Sequence, residues 1–343
     1  MSEKRTEISD IGEFGLIDRL SSSVDIRHEE TILGMGDDAA VIQIGDDTFN
    51  LISTDMLLEG VHFDLSYMPL QHLGSKLVAA NISDIAAMNG TPKQLTINLG
   101  LSNRFSVEAV EAIYEGINAA AKQYNVDIIG GDTTASAAGL VLSAAVIGKA
   151  TGEQIVYRKG AARDDIVCVT GDLGGAYIGL QVLEREKQEF LANPDMQPQL
   201  EKYEYVVGRQ LRPSARMDII HELASLGVKP SAMIDVSDGL ISDIFHICKA
   251  SDLGVSLYED KLPIDAKTFE TAAEFGIDPN TCALNGGEDY ELLFTISQGD
   301  YEKIKDHEDI SPVGYMHEPA KGKVLVTRSQ NVVELKAQGW THF

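Results

Sequence analysis

The placement of its aspartates constrains this chain more than any other feature. Asp37 and Asp38 in GMGDDAAVI, Asp55 closing LISTD, Asp84 inside AANISDIAAMNG, Asp132 in IIGGDTT, and Asp235 and Asp238 in MIDVSDG stand at the ends of apolar strands or within an apolar helix. A charge at such a place is expensive unless something compensates it. Any single one of them reads first as a helix N-cap or turn residue. Seven in one chain point instead to carboxylates gathered around a counter-charge. Carboxylates, hydroxyls and water are the ligands of hard cations such as Mg²⁺ or Mn²⁺, which bridge carboxylates to substrate phosphates. The pattern therefore predicts a metal–phosphate site. Asp84 is its most informative member: helical spacing sets it beside Ala80, Ala87 and Met88, on or near the apolar side. An unpaired carboxylate there would protonate or destabilise the fold, so Asp84 reads as a metal ligand, the alternative being a satisfied structural carboxylate.

The charge balance narrows the class of partner. The 343 residues carry 28 Lys and Arg against 53 Asp and Glu, a net charge of −25. Such a surface repels nucleic-acid phosphates and anionic membranes, so neither is expected as a partner. The longest apolar stretch, Leu140 to Ile147, is far short of the ~18 residues of a membrane helix. The opening MSEKRTEISD is polar, and Cys168, Cys248 and Cys282 are widely spaced and fit no metal-ligand pattern; both features predict a cytoplasmic protein with reduced thiols. The signatures HExxH, GxxxxGK[ST] and GxSxG are absent, which removes zincin, P-loop and α/β-hydrolase chemistry.

Length suggests about two domains. Ala39 to Asp55 reads as two strands joined by a polar turn at Gly45 to Thr48, and His72 to Met88 as a helix with a buried face, stopped by Gly90 and Pro92. QLTINLGL reads as a strand, Ser106 as the N-cap of a helix over Val107 to Tyr124, and VDIIGG and GLVLSAAVIG as two more strands. The polar, glycine-containing run from Thr151 to Asp165 marks a boundary, giving domains 1–150 and 151–343. The second half continues with the strands IVCVT, AMIDVSD, VSLYE, LLFTI, PVGYM and KVLVT. Helices are expected from Gly174, over roughly Leu200 to Leu211, over Ser214 to Leu226 and from Leu240 to Ala250, with Gln188 to Gln199 an exposed connection.

Other motifs leave alternatives open. Gly34 to Ala39 superficially fits the dinucleotide fingerprint, but the segment after it reads as a strand rather than a helix, which rejects that reading. Thr170-Gly171-Asp172-Leu173-Gly174-Gly175, between a strand and a helix, is either an anion-binding turn or simply a tight one. Gly286 to Glu291 is either a surface turn or a close-approach loop whose Glu288 accepts from a cationic or amino group. His62 is a phosphate or ring contact or a structural residue, and Arg158 a phosphate contact or a solvated cation. Trp340, the sole tryptophan, stacks on a flat ring or plugs a core.

GDDAAVI, STDMLLEGVHF, AANISDIAAMNGTP, GGDTT, VTGDLGGA, LRPSAR, IDVSDGLISD and NGGEDYEL, in this order over most of the chain, resemble the thiamine-monophosphate kinase family. That family belongs with aminoimidazole ribonucleotide synthetase, selenophosphate synthetase and the hydrogenase-maturation dehydratase. The closing GWTHF strengthens the resemblance to the kinases, while a reactive C-terminal cysteine and a cysteine before the first GDD, marks of two of the relatives, are absent. The resemblance implies an α/β (α+β) fold of two domains like aminoimidazole ribonucleotide synthetase, with mixed sheets flanked by helices. The N-terminal domain would bind ATP and metal and form a homodimer through its sheet, and the C-terminal domain would complete the active site. The implied reaction, the last step of thiamine diphosphate biosynthesis, converts ATP and thiamine monophosphate to ADP and thiamine diphosphate with several Mg²⁺ ions. By position, Asp38, Ser53, Thr54, Asp55, Asp84, Asp132, Asp235 and Asp238 match the family's metal ligands, with Asp38, Asp55, Asp84, Asp132 and Asp238 as its catalytic set. Gly131, Asp132, Arg158 and Ser237 match its ATP contacts, and His62, Glu288 and Trp340 its substrate contacts.

The chemistry agrees with the residue inventory. A phosphate acceptor is already largely ionised at neutral pH, so in-line transfer to it needs positioning and charge neutralisation rather than a side-chain base. Two other readings use the same aspartates: an ATP-dependent synthetase that activates an amide oxygen through a phosphoryl intermediate, and a non-catalytic metal-nucleotide sensor.

Overall fold

Alternating strand and helix patterns resolve, in the computed structural model, which describes residues 6–337, into two sheets each backed by helices. In chain order the first half contains α1 (Gly12–Ser21), β1 (Thr31–Leu33), β2 (Ala40–Gly45), β3 (Thr48–Leu58), α2 (Leu70–Ala87), β4 (Thr91–Leu101), α3 (Val107–Tyr124), β5 (Asp127–Ala135) and β6 (Val141–Ala150). The second contains β7 (Ile166–Thr170), α4 (Gly175–Ala192), α5 (Glu204–Leu211), α6 (Met217–Ser225), β8 (Ala232–Asp235), α7 (Leu240–Ser251), β9 (Gly254–Tyr258), α8 (Ala266–Glu274), α9 (Pro279–Asn285), β10 (Leu292–Ile296), α10 (Gln298–Ile304), β11 (Ile310–His317), β12 (Lys323–Val326) and β13 (Val332–Glu334). Among the described residues the first sheet runs β1-β2-β3-β6-β4-β5 and the second β13-β12-β9-β11-β7-β10-β8. Each is mixed, with one parallel pair, β4 with β5 and β12 with β9.

Helix α2 is the centre of the molecule. Leu73, Leu77, Val78, Ile82, Ile85 and Ala86 are fully buried, and so is most of the rest of its circumference. That follows from its place: it packs on β3, β4 and β6 and on α3, and also touches β8, β10, α5 and α6 of the second half. Gly74 and Gly116 permit the α2–α3 approach, since a Cβ on Gly116 would stand 1.8 Å from the carbonyl oxygen of Gln71. Helix α3 starts at the expected Ser106, whose hydroxyl accepts from the Ala109 amide, and stops at the left-handed Asn125.

The first sheet is covered on one face only. Along β6, Leu142, Ala144 and Val146 are buried while Val141, Ser143, Ala145 and Ile147 are half-buried, as the two-residue pleat requires. Met56 on β3, Ile44 on β2 and Ile129 on β5 are exposed. Two expectations shift in detail. Helix α4 continues to Ala192, so the exposed connection starts at 193 rather than Gln188. Helix α6 starts at Met217 rather than Ser214, because Pro213 restricts the residues around it. Helices α1, α8, α9 and α10 are not anticipated from the sequence; α8, α9 and α10 are only seven to nine residues long, and α1 lies outside the segments that the sequence pattern singled out.

Candidate active site

The site forms where β3, α2 and β8 meet the segment before β2. Carboxylate oxygens of Asp38, Asp84 and Asp235 lie within 4.8 Å of one another. Asp38 and Asp235 are buried and Asp84 half-buried. Ser53 on β3 donates its hydroxyl to Asp84 Oδ2, and Ser83 on α2 donates to Asp235 Oδ2 at 2.6 Å. Asp55, two residues along the same face of β3 as Ser53, adds a fourth carboxylate beside Asp84.

The energetics of this cluster are those of crowded, dehydrated acids. Burial holds Asp84 well above the usual carboxylate range, and the charges of Asp55, Asp235 and Asp38 push in the same direction. Burial raises Asp55 to about 6 and Asp235 to about 7. Asp38 is also raised by burial, against the pull of Arg158. Oδ2 of Asp38 and Oδ2 of Asp55 are buried without a hydrogen-bond partner among the described residues. Unpaired, converging carboxylate oxygens are a donor set that suits a hard divalent cation, which satisfies and neutralises them together. The residues present fit Mg²⁺.

Arg158 closes one side. Its Nη2 lies 2.6 Å and its Nε 3.3 Å from Asp38 Oδ1, while its backbone N–H donates to both oxygens of Asp37 at 3.2 Å. Burial and the neighbouring Asp38 raise Asp37 to about 7. On the other side, the turn after β8 presents Ser237 and Asp238, both half-buried. It is tied back by Asp243, whose Oδ2 accepts from the amides of Asp238 at 3.3 Å and Gly239 at 3.1 Å. The Ser237 carbonyl accepts from Glu288 N at 2.7 Å, which joins this turn to the loop carrying Glu288.

That loop sorts its acids by role. Asp289 Oδ2 accepts from Gly174 N at 2.8 Å and Oδ1 from Ala176 N at 3.4 Å. The turn before α4, a candidate for an external anion, is therefore filled by the chain's own carboxylate. Glu291 is held by Arg216 at 2.7 Å, Arg209 at 3.0 Å and the Thr170 hydroxyl at 2.6 Å. Only Glu288 remains partly open, at 28% exposure, with Lys76 Nζ at 2.5 Å and Gln210 Nε2 at 3.0 Å on its Oε2. Glu288 and Tyr290 both adopt left-handed backbone, φ 57° and 52°, a strain that the surrounding bonds enforce.

The remaining expected residues fall elsewhere. Thr54 points to the opposite face of β3 from Ser53 and Asp55, and its hydroxyl donates to Ala144 O at 2.8 Å. Its side chain is thus not brought to the carboxylates. Asp132 is exposed on β5, the edge of the first sheet, and is not gathered with Asp38, Asp84 and Asp235. Its neighbour Gly131 passes so close to β4 that a Cβ would stand 1.7 Å from Ile97 O. His62 is held in the turn after β3, its Nδ1 accepting from Leu58 N at 3.0 Å. Trp340 lies outside the described residues. Residues that sequence reasoning missed are Asp243, whose signal is an acid inside the first turn after a Ser-Asp-Gly, and Lys76, a lysine between Leu73 and Leu77 in an apolar helix.

Comparison with known proteins agrees with this arrangement. Residues 36–150 match the model of the AIR synthase related protein N-terminal domain, and residues 162–304 that of its C-terminal domain. The chain is 36% identical over 338 residues to the thiamine-monophosphate kinase of Bacillus subtilis, covering 96% of this chain and 99% of that one. It is 32% identical to the enzyme of the same name from Aquifex aeolicus, covering 98% and 99%. The solved structure of AaThiL complexed with AMPPCP and TMP superposes with a TM-score of 0.84 at 30% identity, over 99% of this chain and all of that one. Two domains of the AIR synthase type, together with 36% and 32% identity to thiamine-monophosphate kinases over 96% and 98% of the chain, place this chain in the thiamine-monophosphate kinase family.

Proposed function

We propose that the chain transfers the γ-phosphoryl group of ATP to thiamine monophosphate, giving ADP and thiamine diphosphate. The observation that carries this reading is the convergence of Asp38, Asp84 and Asp235, with unpaired buried oxygens on Asp38 and Asp55, in a chain related over its length to thiamine-monophosphate kinases. A relative solved with AMPPCP and TMP supports ATP and thiamine monophosphate as the two substrates.

Asp38, Ser53, Asp55, Asp84 and Asp235 would hold Mg²⁺, with Asp238 at the rim. Bound there, Mg²⁺ neutralises the carboxylates and the phosphate oxygens brought against them. Arg158, aimed by Asp37 and Asp38, supplies a fixed cation to the nucleotide phosphates, and the 236–239 turn offers Ser237. A terminal oxygen of the acceptor phosphate attacks the γ-phosphorus as the bond to the ADP leaving oxygen breaks, so no side chain needs to take a proton. A protein nucleophile is not required. The three cysteines are buried, their thiols pushed up by burial to about 12, 12 and 11 at Cys168, Cys248 and Cys282, and are unsuited to the task.

Residues 1–150 and 151–343 act as the two working halves in this reading. The uncovered face of the first sheet, with Met56, Ile44 and Ile129 exposed, supports a homodimer formed through that sheet. Among the described residues no helix is long and apolar enough to cross a membrane.

The test is ³¹P NMR of the protein with ATP, Mg²⁺ and thiamine monophosphate, beside controls lacking acceptor or metal. Diphosphate signals of thiamine diphosphate that need both components are expected. Intact ATP with thiamine monophosphate, but consumption with another acceptor, would overturn the reading.

A further inference from the structure

Lys76 is 0% exposed in the middle of α2. A lysine is almost never so buried unless it is paired, and its Nζ donates to Glu288 Oε2 at 2.5 Å and to the Gln210 carbonyl at 3.3 Å. The pair joins residues 212 positions apart, from the central helix of the first half to the strained loop of the second. Gln210 Nε2 donates to the same Oε2 at 3.0 Å. Both donors thus grip one carboxylate oxygen, Oε2, of a side chain that stays 28% exposed.

The same helix carries the other end of the site. Asp84 lies eight residues beyond Lys76, which at 1.5 Å per residue is a little over two turns and ~12 Å along the axis of a rigid rod. Ser83, beside it, holds Asp235. Helix α2 therefore fixes the separation between the carboxylates that would handle phosphate and the carboxylate gripped by Lys76. A purely structural ion pair has no need of two left-handed non-glycine residues at Glu288 and Tyr290; a carboxylate that must face outward in one orientation does.

We propose that Lys76 is a positioning residue for acceptor recognition: it holds Glu288 so that Oε1 receives an amino or cationic group of the acceptor at a set distance from the transferring phosphate. This rests on the function proposed above. The acceptor class is then an elongated phosphate ester with a hydrogen-bond donor or positive charge at its far end.

The experiment compares Lys76→Met, Glu288→Gln and the double variant with the full-length wild type. Each substrate is varied in steady state, and thiamine monophosphate is titrated calorimetrically in the presence of Mg²⁺ and AMPPCP. Loss of one charge-assisted hydrogen bond should raise the acceptor KM and Kd about 10- to 100-fold in each single variant, with the ATP KM within about twofold of wild type. The double variant should be no worse than Glu288→Gln, because the two residues act through one contact. An unchanged acceptor KM, acceptor and ATP KM values rising together, or a double variant with multiplied losses would overturn the proposal. If Lys76→Met does not fold, the double variant, which removes both charges, decides the matter against Glu288→Gln. Failure of the wild type to convert thiamine monophosphate at all would sink the underlying function, and the proposal with it, before any variant is made.

Discussion

At the scale of the residue, this chain uses acids for two opposite purposes. Asp289 and Glu291 are buried with several donors each and hold the fold together, whereas Asp38, buried, and Asp55, half-buried, each keep a buried oxygen without a partner. Removing Asp289 strands the amides of Gly174 and Ala176 at the start of α4 and part of the Arg209 charge, so Asp289→Ala should lower unfolding stability by about 2–4 kcal/mol, and Asp289→Asn by clearly less. Chemical denaturation measures this, and an Asp289→Ala loss under about 1 kcal/mol would refute the assigned cap. Asp84 and Asp235 were legible in the sequence because a carboxylate in an apolar setting needs a reason wherever it sits. The sorting of Glu288, Asp289 and Glu291 was not, since three acids in one short loop look alike until their donors, drawn from residues as distant as Lys76 and Thr170, are in place. Lys76 was missed for the same reason: its partner is 212 positions away.

At the scale of the element, legibility followed length and periodicity. The three-residue edge strands β1 and β13 are too short to show a period, whereas the range of α3 and its cap at Ser106, the body of α2 and the strands β2 to β12 follow from local spacing. The short helices α8, α9 and α10 do not, because their stability comes from packing on neighbours rather than from their own pattern. Thr54 illustrates a finer limit. It adjoins Ser53 and Asp55 in sequence, but the pleat turns it to the other face of β3, where it bonds Ala144 O. Asp132 illustrates another: a strand end in sequence can be a sheet edge in space, and β5 is an edge.

At the scale of the whole molecule, a net charge of −25 and a cluster of dehydrated acids make stability depend on pH and metal together. Asp55 at about 6, and Asp37, Asp235 and Asp289 at about 7, hold protons in the folded chain that the unfolded chain, with ordinary carboxylates, gives up at lower pH. The folded state thus binds more protons between these values, and unfolding free energy falls as pH rises through 6 to 7. The metal-free protein should melt at lower temperature at about pH 8 than at about pH 5.5, and Mg²⁺ should restore more at the higher pH than NaCl of matched ionic strength. A midpoint that rises with pH, or equal rescue by Mg²⁺ at both values, would show that the cluster is not the source.

The claim on which the rest depends is that Asp84 belongs to a metal-gathering cluster and not to the scaffold. Its most direct test is turnover of Asp84→Asn at saturating Mg²⁺, measured beside the melting temperature of the metal-free protein at about pH 8. Loss of one shared carboxylate should cut turnover at least about 100-fold. Removal of a buried, repelled charge should leave the melting temperature unchanged or higher. Near-normal turnover, or a lost fold, would contradict the account.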